Sequence, residues 1–172
     1  MSEFWTAVQR RFSSAGRGRH FAPVEVVPHV DLERYLGDWF EIATIPQSFQ
    51  RDCTATRTTY ALRDDGEIDV VNRCRLGTPD GPEKKIHGQA RVVDTATNAK
   101  LKVSFFRPFW SDYWVIDLGQ NYEYAVVAGP TREYLWILSR TPQLSDEVYA
   151  GILQRLQAQG FDTGKLQTTR QR

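Results

Sequence analysis

Residues 53–74, CTATRTTYALRDDGEIDVVNRC, set the architecture of this chain. At their centre stands Arg63-Asp64-Asp65-Gly66, and Asp-Gly tolerates the positive φ that tight hairpin turns require. On either side lie threonine-rich and β-branched runs, 53–62 and 67–74, which read as two antiparallel strands. Successive side chains on a strand face opposite ways, so one charge sets the parity of its neighbours. Glu67, Asp69 and Arg73 belong in water, which turns Ile68, Val70 and Asn72 inward. Arg57 facing out leaves Thr56, Thr58 and Tyr60 inward.

Working outward, the same signals recur at 39–43, 87–94, 100–106, 113–118, 122–128 and 134–140. The polar turn Thr95-Ala96-Thr97-Asn98, Gly129-Pro130 and Thr141-Pro142 punctuate them. Lys100 and Lys102 face out on the fifth strand, so Leu101, Val103 and Phe105 face in. Eight strands joined by short polar turns predict an all-β fold, an eight-stranded antiparallel up-and-down β-barrel or else a sandwich. Ahead of them, Asp31 caps a single helical turn. Behind them, Ser145 caps a C-terminal α-helix in which Val148, Ile152 and Leu156 form an apolar stripe and Gly160 ends it. That stripe is expected to pack on the outside of the barrel.

A length of 172 residues suits one domain, and a net charge of +1 offers no broad basic field for nucleic acid. No segment approaches the ~20 apolar residues of a membrane-spanning helix. Residues 1–28 read as an N-terminal extension to a barrel domain over 29–172. In it Phe4, Val8 and Phe12 fall at helical spacing among Arg10, Arg11, Arg17 and Arg19. Two readings stand: an amphipathic helix on a membrane surface, or an unordered extension. This segment lacks the apolar core of a secretory leader and an early cysteine for a lipid anchor. His20, His29 and His87 are scattered, so no metal site is expected, and no cofactor is called for.

Three blocks resemble the lipocalin family. Gly37-Asp38-Trp39, within Tyr35-Leu36-Gly37-Asp38-Trp39-Phe40-Glu41-Ile42-Ala43, resembles its opening motif. Leu135-Trp136-Ile137-Leu138-Ser139-Arg140 resembles its closing motif. Lys102-Val103-Ser104-Phe105-Phe106, Pro108-Phe109 and Ser145-Asp146-Glu147-Val148 are similar to the bacterial outer-membrane lipocalins, relatives of apolipoprotein D. The middle motif departs: Gln120-Asn121-Tyr122 stands where Thr-Asp-Tyr is usual. The resemblance implies that Trp39 closes the narrow end of the barrel and that Arg140 lies across its face. It also implies a fatty acid or lysophospholipid as ligand and the cell envelope (periplasm or outer membrane) as location.

Inward parity and the resemblance together nominate a lumen lined by Tyr60, Val70, Val103, Phe105, Tyr113, Trp136 and Leu138. An acyl chain entering it gains about 0.8 kcal/mol per buried methylene. Phe106, Pro108, Phe109 and Trp110 read as an apolar loop that rims the mouth, touches a membrane, or packs on the barrel or a second copy of the chain. Cys53 and Cys74 lie at the far ends of the hairpin, close enough for a disulfide, yet parity turns Cys53 out and Cys74 in. A bridge therefore requires a bulge or a strand that ends before Cys53. The rivals to a carrier are a filled barrel serving as an interaction module and a lipocalin-like enzyme using an inward Cys74. For the latter no histidine stands within obvious reach. Glu41, also turned inward, reads more readily as a hydrogen-bonded structural group than as a general acid.

Overall fold

A computed structural model describes residues 21–172. The N-terminal side chains singled out above, Phe4 to Phe12 and Arg10 to Arg19, lie outside the described residues. Asp31 caps a single turn, α1 (Leu32–Tyr35), by accepting from the Arg34 amide. Eight strands follow in simple up-and-down order: β1 (Gly37–Thr44), β2 (Cys53–Leu62), β3 (Ile68–Leu76), β4 (Glu83–Val92), β5 (Lys100–Phe106), β6 (Phe109–Leu118), β7 (Tyr124–Ala128) and β8 (Leu135–Ser139). Each pairs antiparallel with the next, and β1 pairs with both β2 and β8, so the sheet closes on itself. Closure leaves no long unpaired edge.

Two strands begin earlier than the hydrophobic pattern announces. β4 starts at Glu83 rather than residue 87, and β6 at Phe109 rather than residue 113. Charged and exposed side chains at 83–85 conceal an arm held by its ladder to Arg73, Cys74 and Arg75. Phe106 and Phe109 pair directly, so the expected apolar loop is instead a tight hairpin tip.

Bulges break strict alternation where the barrel bends. One extra residue sits in β2 between Thr54 and Arg57, with Ala55 at φ 49°. It reverses the parity of the strand's start and turns Cys53 to the side of Cys74, and the two form a disulfide with Cα atoms 5.4 Å apart. A second bulge, between Glu41 and Ala43, leaves Glu41 on the inward parity of Trp39 and turns Ala43 to the outer face, where it joins the outer core.

The chain builds two cores, one on each side of the wall. The inner one gathers Trp39, Tyr60, Val70, Val115, Val127 and Leu138. The outer one lies under a helix, α2 (Asp146–Ala158), whose Ile152 and Leu156 press on Val126, Leu135 and Ile137. This double burial explains why β7 and β8 are almost continuously apolar. Ser145 caps α2 by accepting from the Val148 amide, and Gly160 ends it at φ 83°. Residues 21–30 run along the wall: Val24 enters the outer core, the Val27 amide donates to the Val115 carbonyl, and Val30 is buried at the narrow end. A short ninth strand, β9 (Gln167–Thr168), pairs with β1, and the Ala55 amide donates to the Arg170 carbonyl. The C-terminal segment thus fills the seam where β1 and β2 diverge.

Ile152 is fully buried, so Ile152→Ala is expected to lower stability by about 2–5 kcal/mol. Urea unfolding measures this, and a loss under about 1 kcal/mol would show that α2 does not hold the outer core.

Candidate functional site

The narrow end is built around Trp39, which is fully buried and donates from Nε1 to the Tyr35 carbonyl at 2.8 Å. The Arg140 guanidinium lies 3.7 Å from the Trp39 ring centroid. It donates to the carbonyls of Arg34 at 2.7 Å, Asp38 at 2.9 Å and Tyr122 at 3.4 Å. Gly37 holds φ +95°, and a Cβ there would stand 3.4 Å from Arg140 Nη1. Its place in the motif thus follows from both backbone and space.

Above this plug three phenols meet. Tyr113 Oη lies 2.7 Å from Tyr35 Oη and 2.8 Å from Tyr60 Oη. Burial pushes all three phenols above their ordinary range, so they stay neutral and hydrogen-bond to one another. The space left beside them, against Leu36, Ile68, Ala90 and Leu101, is about 10 Å³. That is roughly the room one water needs, so the floor is packed.

Higher up, packing loosens. Of the nominated lining residues, Tyr60, Val70 and Leu138 are buried, while Val103, Phe105, Tyr113 and Trp136 are only partly buried. All seven belong to or pack against one cluster inside the barrel. Tyr113 belongs to the floor, whereas Val103, Phe105 and Trp136 retain accessible surface beyond it. Gly88 makes room for Phe105: a Cβ on Gly88 would fall 2.6 Å from the ring.

Near the mouth the lumen is polar. Glu41 is 5% exposed. Gln50 Nε2 donates to its Oε2 at 2.9 Å, and Thr169 Oγ1 donates to its Oε1 at 2.5 Å. Trp136 Nε1 in turn donates to Gln50 Oε1 at 3.2 Å. Gln50 belongs to the 3-10 turn Ser48–Gln50 between β1 and β2, so that loop is pinned to the lumen. Burial pushes the Glu41 carboxyl above the usual carboxylate range, against the lowering pull of its two donors. Thr56 Oγ1 is buried beside this seam with no hydrogen-bond partner. The sequence pointed to Glu41 but missed Tyr35, Gln50 and Thr169. Tyr35 lies outside the strands and Gln50 in a loop, and only the closed barrel brings them to the lumen. His87 is exposed on β4, and among the described residues no cluster of His, Cys, Asp or Glu could hold a metal ion.

Residues 30–171 match the lipocalin-like domain family. The chain is 46% identical over 143 residues to outer membrane lipoprotein Blc of Escherichia coli K12, covering 83% of this chain and 80% of the relative. It is 35% identical over 156 residues to mouse apolipoprotein D, covering 85% and 79%. Among solved structures, insecticyanin from the tobacco hornworm Manduca sexta superposes with a TM-score of 0.69 at 22% identity, covering 87% and 85%.

Two outcomes test the site's construction. Arg140→Ala removes the stacking on Trp39 and three hydrogen bonds, and is expected to cost at least about 2 kcal/mol. An unchanged melting temperature would count against the stacking. For Glu41, a raised folded-state pKa means stability is fully present below the unfolded pKa and declines as pH rises through the folded value. Glu41→Gln removes that titration. Across about pH 4 to pH 8, the variant should therefore gain stability relative to wild type as pH rises, whereas a constant difference would refute the coupling.

Proposed function

The chain belongs to the lipocalin family, and from that premise we propose that it carries a fatty acid or lysophospholipid in its barrel lumen. Members of the family bind small hydrophobic ligands. The observation that carries the finer reading is the gradient along the lumen, from a packed floor at Trp39 to partly exposed Val103, Phe105 and Trp136 above it. An acyl chain entering tail-first leaves water and lies against these walls, gaining about 0.8 kcal/mol per methylene. Its head group remains at the mouth, where Glu41, Gln50 and Thr56 supply hydrogen-bonding groups. On this reading the protein is a carrier rather than an enzyme. The cysteine that an enzyme would use, Cys74, is committed to a disulfide.

The envelope location rests on the likeness to outer membrane lipoproteins. A peripheral membrane contact has its own support in the β5–β6 hairpin tip. There Phe106 is 56% and Phe109 39% exposed, and Arg91 lies 4.3 Å over the Trp110 ring. Exposed aromatics beside cations suit an anionic lipid surface. A homodimer covering the same tip is the competing use, and native mass spectrometry separates the two.

A fluorescent fatty acid should bind saturably at micromolar concentration and be displaced by lysophospholipid. Val103→Trp fills the lumen and should weaken binding at least tenfold, about 1.4 kcal/mol, while the melting temperature shows that the barrel still forms. No saturable binding by the wild-type protein would sink the proposal.

A further inference from the structure

One cavity of this chain lies outside the lumen. It lies on the outer face of β2 and β3, under the C-terminal segment, with a volume of about 150 Å³. Phe40, Arg57, Arg73, Arg75, Glu83 and Arg172 line it. We propose that this groove is a binding site for a phosphoryl group.

Charge arrangement carries the inference. Arg57 and Arg73 are direct partners in the antiparallel ladder, both on the outward face. Like charges directly opposite each other weaken strand pairing. Two of the four guanidiniums have carboxylate partners. Arg75 lies 3.3 Å from Glu83, and Arg172 lies 3.5 Å from Asp80, whose side chain is 90% exposed. The central pair has none: among the described residues no carboxylate lies within ion-pair distance of Arg57 or Arg73. Arg73 Nη1 donates to Thr59 Oγ1 at 3.0 Å, and Asp38 reaches it only through that hydroxyl. Arg57 rests over the Phe40 ring at 5.8 Å.

The groove therefore concentrates positive charge that its own acids only partly offset, in a concave setting that excludes part of the solvent. A phosphoryl group presents several oxygens at tetrahedral angles and can accept from two guanidinium forks at once. A single carboxylate serves one fork. The site faces away from the lumen, so it stands or falls independently of the carrier reading.

The experiment is thermal unfolding in millimolar inorganic phosphate against chloride at matched ionic strength, for wild type and for the double variant Arg57→Gln with Arg73→Gln. Phosphate stabilises most proteins by exclusion from their surface, so the difference between the two proteins is the readout. Wild type should gain melting temperature saturably with phosphate. The double variant should keep its fatty-acid binding, should melt no lower than wild type in chloride, and should show only the unsaturating general response. The same phosphate response in both proteins, or none in wild type, overturns the proposal. Should the double variant fail to fold, the single Arg57→Gln is read in the same way. Co-sedimentation with phosphatidic acid vesicles that is lost on adding inorganic phosphate would identify a lipid head group as the source. A phosphate response without co-sedimentation would identify a soluble one.

Discussion

At the narrow end of the barrel a guanidinium lies flat on an indole and satisfies three backbone carbonyls. Those carbonyls belong to α1, to the start of β1 and to the turn between β6 and β7, so one side chain ties together segments distant in sequence. Arginine suits this place because its planar fork can stack and donate at once, which a lysine ammonium does not do. Trp39 is fully buried beneath it, and the three phenols join by their hydroxyls above. A tube closed at one end has a direction, and the contrast between packed floor and open upper wall follows from it.

Polarity follows the same axis. The phenols at the floor satisfy one another and present an apolar surface, whereas the buried carboxyl of Glu41 sits toward the mouth and is linked to the loop and the C-terminal segment. Because Gln50 bonds both Glu41 and Trp136, the loop that overhangs the mouth is coupled to a side chain of the lumen wall.

Much of the fold was legible because local chemistry and tertiary packing agree. Asp64-Asp65-Gly66 makes the turn it announces, Asp31 and Ser145 cap as their positions imply, and the charges of β3 and β5 set parity correctly over most of their length. What stayed hidden depends on contacts between distant parts of the chain. The bulge at Ala55 changes which way Cys53 points, and nothing in the local pattern marks it, since alanine is an unusual residue at positive φ. The arm at 83–86 and the first residues of β6 are held by ladder bonds, to which hydrophobic periodicity is blind. At the site, the lining residues were readable from alternation. The phenol of Tyr35 and the amide of Gln50 were not, because only closure of the barrel brings them to the lumen.

The seam between β1 and β2 has a bearing on how the molecule comes into being. β1 near residue 40 is flanked by β8 on one side and, beyond its short ladder with β2, by residues 167–171. Those partners lie far along the chain from β1, so the first strand completes its pairing only through contacts of long sequence separation. Closing the cylinder therefore means closing long loops, and such topologies fold slowly. Until it happens, the oily inner faces stand open to whatever chaperone or neighbouring chain is at hand.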